Sequence, residues 1–194
     1  TTPDIIPLQH ILYDMAAADV KAVAIEASSQ GLALNRTAAV HFDLAVFTNL
    51  THDHLDYHGT MENYYHAKKK LFDGLDDHGI AIINRDDEYG RRLILEAYPN
   101  TVTYGVGKDA DYQAKNIVLD KSFSTYTLAY HGQDYPVKTN LLAQFNVYNS
   151  LAIIACMHEM GYEFSDFLDD LIDIEPVDGR MEFIDEGQPK VSPP

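Results

Sequence analysis

Basic residues are scarce in this chain of 194 residues. It contains 14 Lys and Arg against 30 Asp and Glu, so its formal net charge is -16. The phosphate backbone of DNA or RNA would be repelled by this charge, which argues against a general nucleic-acid-binding protein. A phosphorylated small molecule is not excluded, because backbone amides, Mg²⁺ and a few basic side chains can hold a phosphate locally.

Cysteine and long apolar runs are also lacking. The single Cys156 cannot form an internal disulfide. No run of about 18 apolar residues predicts membrane insertion, and no basic-then-apolar leader predicts secretion. We therefore expect a cytoplasmic protein. The sequence begins at Thr1 without a Met and ends at Pro194 as a new strand pattern starts, so we expect a piece of a longer protein.

Apolar runs alternate with helical patterns in the first half of the chain. The runs predict strands covered on both faces, at 21–26, 43–50 and 79–84. The 3.6-residue patterns predict helices at 7–18, 61–73 and 86–97. This alternation predicts an α/β fold with a mostly parallel sheet flanked by helices.

The pattern changes at about residue 101. Short alternating runs at 125–130 and 134–137 surround a His131-Gly132 turn and predict an appended antiparallel hairpin. Helical patterns return near 145–160 and 164–173. We expect a domain boundary near Pro176, with one domain over 1–176 and the start of another over 177–194.

A dense group of polar residues follows the strand predicted at 43–50. One interpretation is a dinuclear zinc hydrolase that uses His52, His54, Asp56 and His58, although Tyr57 separates an Asp-His pair that such enzymes keep adjacent. Another is a magnesium site, in which one imidazole and the carboxylate of Glu26 hold the ion beside phosphates. A hydrogen-bonded surface loop is the third.

Lys68 lies on an apolar helical stripe. It is seven residues after Met61 and four after Tyr64, whereas Lys69 and Lys70 point elsewhere. A lysine in this position either extends its ammonium to water or has a lowered pKa. In the second case its neutral amine can react with carbon dioxide to give a carbamate.

Two further groups of polar residues allow a binding or a structural interpretation. Ser28 and Arg36 follow the run at 21–26 and could hold a carboxylate or phosphate, or Ser28 could cap a helix. Asn146 and Asn149 share one face of a helix start, where they suit an adenine edge or simple capping. The phosphate-binding pattern Gly-x-x-x-x-Gly-Lys-[Ser/Thr] is absent from the 194 residues.

Together these segments resemble the Mur ligases, most closely the MurE type, the UDP-N-acetylmuramoyl-tripeptide synthetases. The most specific segment is FTNLTHDHLDYHGT at 47–60. The supporting segments, in family order, are TTPD at 1–4, EASSQGL at 26–32, AKKKLF at 67–72, NRDD at 84–87, FNVYN at 145–149 and GRME at 179–182.

The resemblance implies a P-loop-NTPase-like central domain of an ATP-dependent amide ligase in peptidoglycan synthesis. Such a ligase adds the third amino acid, lysine or diaminopimelate, to UDP-MurNAc-L-Ala-D-Glu. ATP phosphorylates the terminal carboxylate, and the incoming amine attacks the acyl phosphate with release of phosphate.

The resemblance also implies roles for individual residues. Glu26 and His54 look like catalytic magnesium ligands, and Lys68 looks like the catalytic lysine that is carbamylated to help hold a second magnesium ion. The positions that resemble contacts to the UDP-MurNAc-dipeptide are Thr1, Thr2, Ser28 and Arg36. Those that resemble the ATP side are Asn84, Asp86, Asn146, Asn149 and Arg180.

Departures from the family pattern lead to further expectations. Because the phosphate-binding loop is missing from this sequence, we expect the isolated chain to be inactive. We expect apolar sheet edges to promote self-association. A non-catalytic nucleotide-sugar-binding module is the alternative that keeps the fold and has no catalysis.

Overall fold

The computed structural model describes residues 2–175. Thr1, Arg180 and the predicted boundary after residue 176 lie outside the described residues. The chain forms two compact units. Among the described residues, unit 1 comprises residues 2–83 together with Asp87–Thr101, and unit 2 comprises Asn84–Asp86 together with residues 102–175.

Residues 2–175 contain six α-helices, two 3-10 helices and six strands. The helices are α1 (Ile5–Ala17), α2 (Ser29–Ala33), α3 (Leu55–His58), α4 (Met61–Asp73), α5 (Glu88–Ile94) and α6 (Gln144–Glu159), followed by 3-10 helices at Phe164–Asp166 and Asp169–Asp173. The strands are β1 (Leu44–Phe47), β2 (Ile80–Asn84), β3 (Thr101–Gly105), β4 (Tyr112–Leu119), β5 (Ser124–Tyr130) and β6 (Gln133–Thr139). None of the described helices has the length and apolar character needed to cross a membrane.

The six strands form one sheet in the order β1-β2-β3-β4-β5-β6. β1 is parallel to β2, with Leu44 opposite Ile80 and Phe47 opposite Ile83. β3 is parallel to β4, whereas β4–β5 and β5–β6 are antiparallel. The predicted fold class, a mostly parallel sheet with an appended antiparallel hairpin, is confirmed.

Helix α4 supplies much of the core of unit 1. It begins where the Thr60 hydroxyl accepts a hydrogen bond from the Asn63 N–H at 3.1 Å, and it ends at Gly74. Its apolar stripe packs into one buried cluster with β1 and β2. The members of that cluster are Ala45, Phe47, Leu50, Tyr64, Tyr65, Phe72, Ala81, Ile83 and Leu93.

Unit 2 is built around the hairpin and α6. The turn between β5 and β6 has left-handed φ at His131 (47°) and Gly132 (81°), which a two-residue hairpin turn requires. α6 packs against β4. The buried hydroxyls of Tyr126 on β5 and Ser150 on α6 are 2.7 Å apart, so a hydrogen bond also joins the helix to the hairpin.

The prediction of a strand at 21–26 is wrong. Residues 20–28 form neither helix nor strand, and Val23 is 47% exposed. An apolar run becomes a strand only when a neighbour pairs with its backbone, and the described residues provide no neighbouring strand there. This segment nevertheless delivers Glu26 and Ser28 to the candidate site.

Two predicted helices differ in length or type. The helix predicted at 86–97 is limited to α5, because Asp87 accepts hydrogen bonds from the N–H groups of Tyr89 and Gly90 and starts the helix there. The helix predicted at 164–173 is replaced by the two 3-10 helices. Closely spaced acids such as Asp169, Asp170 and Asp173 repel one another and are poor helix formers.

Ala143 holds a strained backbone conformation immediately before α6. Its φ of 72° and ψ of 156° lie in a region occupied almost only by glycine. Its carbonyl accepts the Asn146 N–H at 3.1 Å, so this conformation forms part of the helix start. Strain is therefore located beside Asn146 and Asn149.

We predict that Ala143→Gly stabilises the chain. Glycine adopts this conformation without a Cβ clash, and the gain of about 1–3 kcal/mol exceeds the loss of about 0.5–1 kcal/mol from its freer unfolded state. Urea denaturation should show a higher free energy of unfolding. As the matched control, Ala152→Gly within α6 should lower it by about 1 kcal/mol. A decrease for Ala143→Gly would contradict the strain.

Candidate functional site

The Thr2 hydroxyl joins the segments predicted to bind substrate in unit 1. It donates a hydrogen bond to the Glu26 carbonyl at 2.8 Å and accepts one from the Ser28 N–H at 2.8 Å. The Ser28 Oγ lies 3.2 Å from the Thr2 Oγ1. Because Thr2 is 2% exposed and its hydroxyl is committed to these contacts, its action in this structure is to hold Glu26 and Ser28 in place.

Arg36 also contacts Thr2. Its Nη1 donates to the Thr2 carbonyl at 3.0 Å, and its Nε pairs with Asp4 Oδ1 at 2.8 Å. Ser28 Oγ accepts the Gly31 N–H at 3.1 Å, which confirms Ser28 as a helix cap. A Cβ at Gly31 would lie only 2.8 Å from the Thr2 Cβ, so glycine is required for this close packing. The structure thus brings together Thr2, Ser28 and Arg36.

His54 begins α3 with a left-handed backbone, φ 54° and ψ 22°. Its N–H is accepted by Asp53 Oδ1 at 2.8 Å, and its side chain is about half exposed. The His54 ring meets the Tyr64 ring edge-to-face, with centroids 5.9 Å apart. A strained, exposed histidine in a loop after a buried strand is a typical position for a functional side chain.

Lys68 is half-buried, and its Nζ lies over the Tyr64 ring, 5.8 Å from the centroid. Burial lowers the pKa of Lys68, while the nearby carboxylate of Glu26 acts in the opposite direction. The net effect is a pKa below the usual lysine value. Lys69 and Lys70 differ, as predicted: Lys69 pairs with Asp73, and Lys70 donates to the Ala33 carbonyl at 3.2 Å.

His58 is buried rather than directed at a metal. It is 8% exposed, its Nε2 lies 2.9 Å from Ser29 Oγ, and its ring stacks on Tyr64 with centroids 5.0 Å apart and 12° between the planes. Burial, followed by the charge of His54, lowers the pKa of His58. Its hydrogen bond to Ser29 connects α3 with α2.

The zinc-hydrolase interpretation is wrong. Among residues 2–175, no three His, Cys, Asp or Glu side chains come close enough to hold one metal ion. His52, His54 and Asp56 are exposed, whereas His58 is directed into the protein. The helical turn of α3 separates these side chains, so the His-x-His-x-Asp pattern does not become a ligand set.

The sequence indicates Tyr64 only as a member of the apolar stripe. Its four-residue spacing from Lys68 indicates their contact, since such residues are neighbours on a helix. Its contacts with His54 and His58 depend on the fold of the preceding loop and on α3. No sequence pattern gives those contacts.

Asp86 and Asn84 belong to unit 2. The Asp86 carboxylate accepts the N–H groups of Val106 at 2.6 Å and Gly107 at 3.0 Å, together with the Tyr148 hydroxyl at 3.0 Å. A Cβ at Gly107 would lie 2.3 Å from Asp86 Oδ1. Asn84 is buried, and its Oδ1 accepts the Asp86 N–H at 3.0 Å.

Asn146 and Asn149 are neighbours in the first turns of α6. Asn149 Nδ2 donates to Asn146 Oδ1 at 3.0 Å, and Asn146 Nδ2 donates to the Leu142 carbonyl at 2.7 Å. Their predicted position on one helix face is confirmed. Through Tyr148 on the same helix, this pair is connected to Asp86.

Comparison with known proteins decides the family. The Mur ligase middle domain matches residues 1–157. This chain belongs to the Mur ligase family. The Mur ligase of Chlamydia trachomatis serovar D named UDP-N-acetylmuramoyl-L-alanyl-D-glutamate–2,6-diaminopimelate ligase is 39% identical over 183 residues, which cover 94% of this chain and 38% of that protein.

Other relatives extend the comparison. The UDP-N-acetylmuramoyl-L-alanyl-D-glutamate–L-lysine ligase of Staphylococcus epidermidis is 34% identical over 97% of this Mur ligase chain and 39% of the relative. A solved structure of a 2,6-diaminopimelate ligase covers 95% of the chain and 39% of its own length, with 32% identity and a TM-score of 0.86. The chain therefore spans about two fifths of the length of these relatives. MurF from Acinetobacter baumannii shares the fold, with a TM-score of 0.67 and 22% identity over 73% of this chain and 31% of its own.

We predict that Thr2→Val lowers the free energy of unfolding by about 1–3 kcal/mol, because the Ser28 N–H loses its acceptor while still partly buried. Guanidinium denaturation measures the change. Thr51→Val, at an exposed threonine, is the control and should change stability by less than about 0.5 kcal/mol. Equal effects of the two substitutions would contradict the role given to the Thr2 hydroxyl.

Proposed function

We propose that this chain contributes the metal-, substrate- and ATP-binding residues of an ATP-dependent amide ligase of peptidoglycan synthesis. The reaction adds a diamino acid, 2,6-diaminopimelate or L-lysine, to UDP-MurNAc-L-Ala-D-Glu. The carrying observation is that, in a Mur ligase middle domain, His54 and Lys68 both contact Tyr64 while Glu26 lies close enough to act on the pKa of Lys68.

Glu26, His54 and Lys68 fit a magnesium site in their chemistry. Glu26 offers carboxylate oxygens and His54 an imidazole nitrogen, and a carbamate on Lys68 would add the oxygen ligands that Mg²⁺ prefers. Half-burial of Lys68 favours its neutral amine, the form that reacts with carbon dioxide. The bound ion would neutralise charge on the phosphates during transfer from ATP to the substrate carboxylate.

Ser28 and Arg36 are proposed contacts to UDP-MurNAc-L-Ala-D-Glu. Thr2 holds both in place, because its hydroxyl accepts the Ser28 N–H and its carbonyl accepts the Arg36 Nη1. Thr1, outside the described residues, is proposed for the same region. In unit 2, Asn146 and Asn149 are the proposed ATP contacts, and Asp86 and Asn84 brace the adjoining loop.

The remaining proposals concern context. Arg180, outside the described residues, is proposed for the ATP side, and the segment 177–194 is proposed to begin the next domain after a central domain over 1–176. ATP as co-substrate favours a cytoplasmic location. Exposed apolar side chains on α1, including Ile6 and Tyr13, favour self-association.

We predict that Lys68 forms a carbamate. With ¹³C-bicarbonate and Mg²⁺ at pH 8, ¹³C NMR should show a protein-bound carbamate signal from Lys68, because its lowered pKa gives it more neutral amine than an ordinary lysine has. Lowering the pH protonates the amine, and the signal should disappear.

The matched variants assign the signal. Lys68→Arg should remove it and Lys70→Arg should leave it unchanged, since the Lys70 amine donates hydrogen bonds to the Leu32 and Ala33 carbonyls away from the site. A signal that persists in Lys68→Arg would place the carbamate on another residue.

We predict that the chain supports ligation inside a complete relative. Residues 1–157 would replace the matching segment of the Chlamydia trachomatis ligase, and product would be followed by mass spectrometry with ATP, UDP-MurNAc-L-Ala-D-Glu and diaminopimelate. Any phosphate-binding loop needed for turnover must come from the relative, so the chain alone should show no turnover.

Two lysine variants make this experiment specific. In the replaced ligase, Lys68→Ala should lower kcat by about 100-fold or more, as expected for loss of charge stabilisation. Lys69→Ala should retain activity, because Lys69 pairs with Asp73. A folded but inactive replacement would favour the nucleotide-sugar-binding module over the ligase.

A further inference from the structure

Three functional or buried side chains surround one aromatic ring in unit 1. Tyr64 is 6% exposed. The His54 ring approaches it edge-to-face at 5.9 Å, the His58 ring stacks on it at 5.0 Å, and the Lys68 Nζ lies 5.8 Å from its centroid. We call these four residues the Tyr64 cluster.

The ring is itself fixed in place. His58, stacked on it at 12°, is anchored by its Nε2 contact with Ser29 Oγ at 2.9 Å. The His58 carbonyl accepts a hydrogen bond from Asn63 Nδ2 at 2.9 Å, so the end of α3 is also bound to the start of α4. Tyr64 therefore cannot turn without breaking the packing of α3 against α2 and α4.

His54 and Lys68 have fewer constraints than the ring they touch. His54 is about half exposed and sits on a left-handed backbone. Lys68 has a long flexible stem, and its half-buried amine lies over the Tyr64 face and interacts with the charge of Glu26. The Tyr64 ring meets the His54 ring edge-to-face and lies beneath the Lys68 amine, so contact with one ring can limit the directions of both groups.

We propose that Tyr64 is a positioning residue whose ring orients His54 and Lys68 toward a common metal site. This inference rests on the proposed function, because it assumes that these two side chains act at one metal site. The ring carries the effect and the hydroxyl does not. Partners that orient metal ligands typically change metal affinity by about 10–100-fold when they are removed.

The chain offers a closely matched control. The Lys69 Nζ lies over the Tyr98 ring at the same 5.8 Å, and Tyr98 also packs against the core of unit 1. Among residues 2–175, the Tyr98 ring contacts the Phe72 ring and the Lys69 amine, and it makes no aromatic contact with His54 or Lys68. Loss of the Tyr98 side chain removes a lysine–aromatic contact, a hydrogen bond to Asp73 and some packing, and it leaves the Tyr64 cluster untouched.

The first experiment measures Mn²⁺ binding to the 194-residue chain by electron paramagnetic resonance, with bicarbonate present. We expect Tyr64→Leu to weaken the Kd for Mn²⁺ by about tenfold or more, whereas Tyr64→Phe and Tyr98→Leu stay within about twofold of the unchanged chain. Thermal melts select a temperature at which every variant is folded. An unchanged Kd in Tyr64→Leu, or equal weakening in Tyr98→Leu, overturns the proposal.

The second experiment needs no metal and separates this inference from the proposed function. NMR of the chain should show ring-current shifts on the Lys68 Hε and His54 ring protons that persist in Tyr64→Phe and are lost in Tyr64→Leu. If the unchanged chain binds no Mn²⁺, the proposed metal site is overturned, together with a role for Tyr64 at it. If Mn²⁺ binds but the unchanged chain shows no ring-current shifts on these protons, the ring does not hold the two side chains and its positioning role is overturned.

Discussion

The packing of one face of α4 against β1 and β2 determines where the candidate chemistry of unit 1 occurs. Tyr64, Tyr65 and Phe72 are almost fully buried on that face, and burial of each such aromatic side chain contributes about 1.5–3 kcal/mol. Lys68 lies on the edge of the same face, so the force that folds the helix also withdraws the lysine amine from water. A lowered pKa is thus a consequence of the core.

The positions of the polar residues Glu26 and Ser28 in unit 1 depend on the hydrogen-bonded hydroxyl of Thr2. It connects the Glu26 carbonyl and the Ser28 N–H in a segment that forms neither helix nor strand. Such a segment has no ladder of backbone hydrogen bonds to fix it. A single buried threonine supplies what pairing with a neighbouring strand would otherwise provide.

Local signals account for the parts of the structure that the sequence predicts well. The helix expected at 61–73 has those bounds because an N-cap at Thr60 and Gly74 enclose a regular apolar stripe. The hairpin follows from His131-Gly132, whose two left-handed residues select the turn. The run at 21–26 misleads, because apolarity reports a tendency to be buried and says nothing of a partner strand.

In the candidate site too, local signals predict some contacts and tertiary packing determines the others. Helical spacing places Lys68 beside Tyr64, and Asn146 beside Asn149. The burial of His58 and the left-handed backbone of His54 arise from contacts between segments distant in sequence, as does the engagement of Thr2 with Ser28. A motif identifies which residues are present, whereas the direction of each side chain is set by tertiary packing.

The hydrogen bonds to the Asp86 carboxylate couple the movement of two parts of unit 2. This carboxylate is held at once by two amides of the loop after β3 and by the Tyr148 hydroxyl of α6. A rotation of α6 would pull Tyr148 and, through Asp86, displace the loop at Gly107. Helix, carboxylate and loop are therefore mechanically coupled, so a shift of the first turns of α6 would be transmitted to the backbone at Val106 and Gly107.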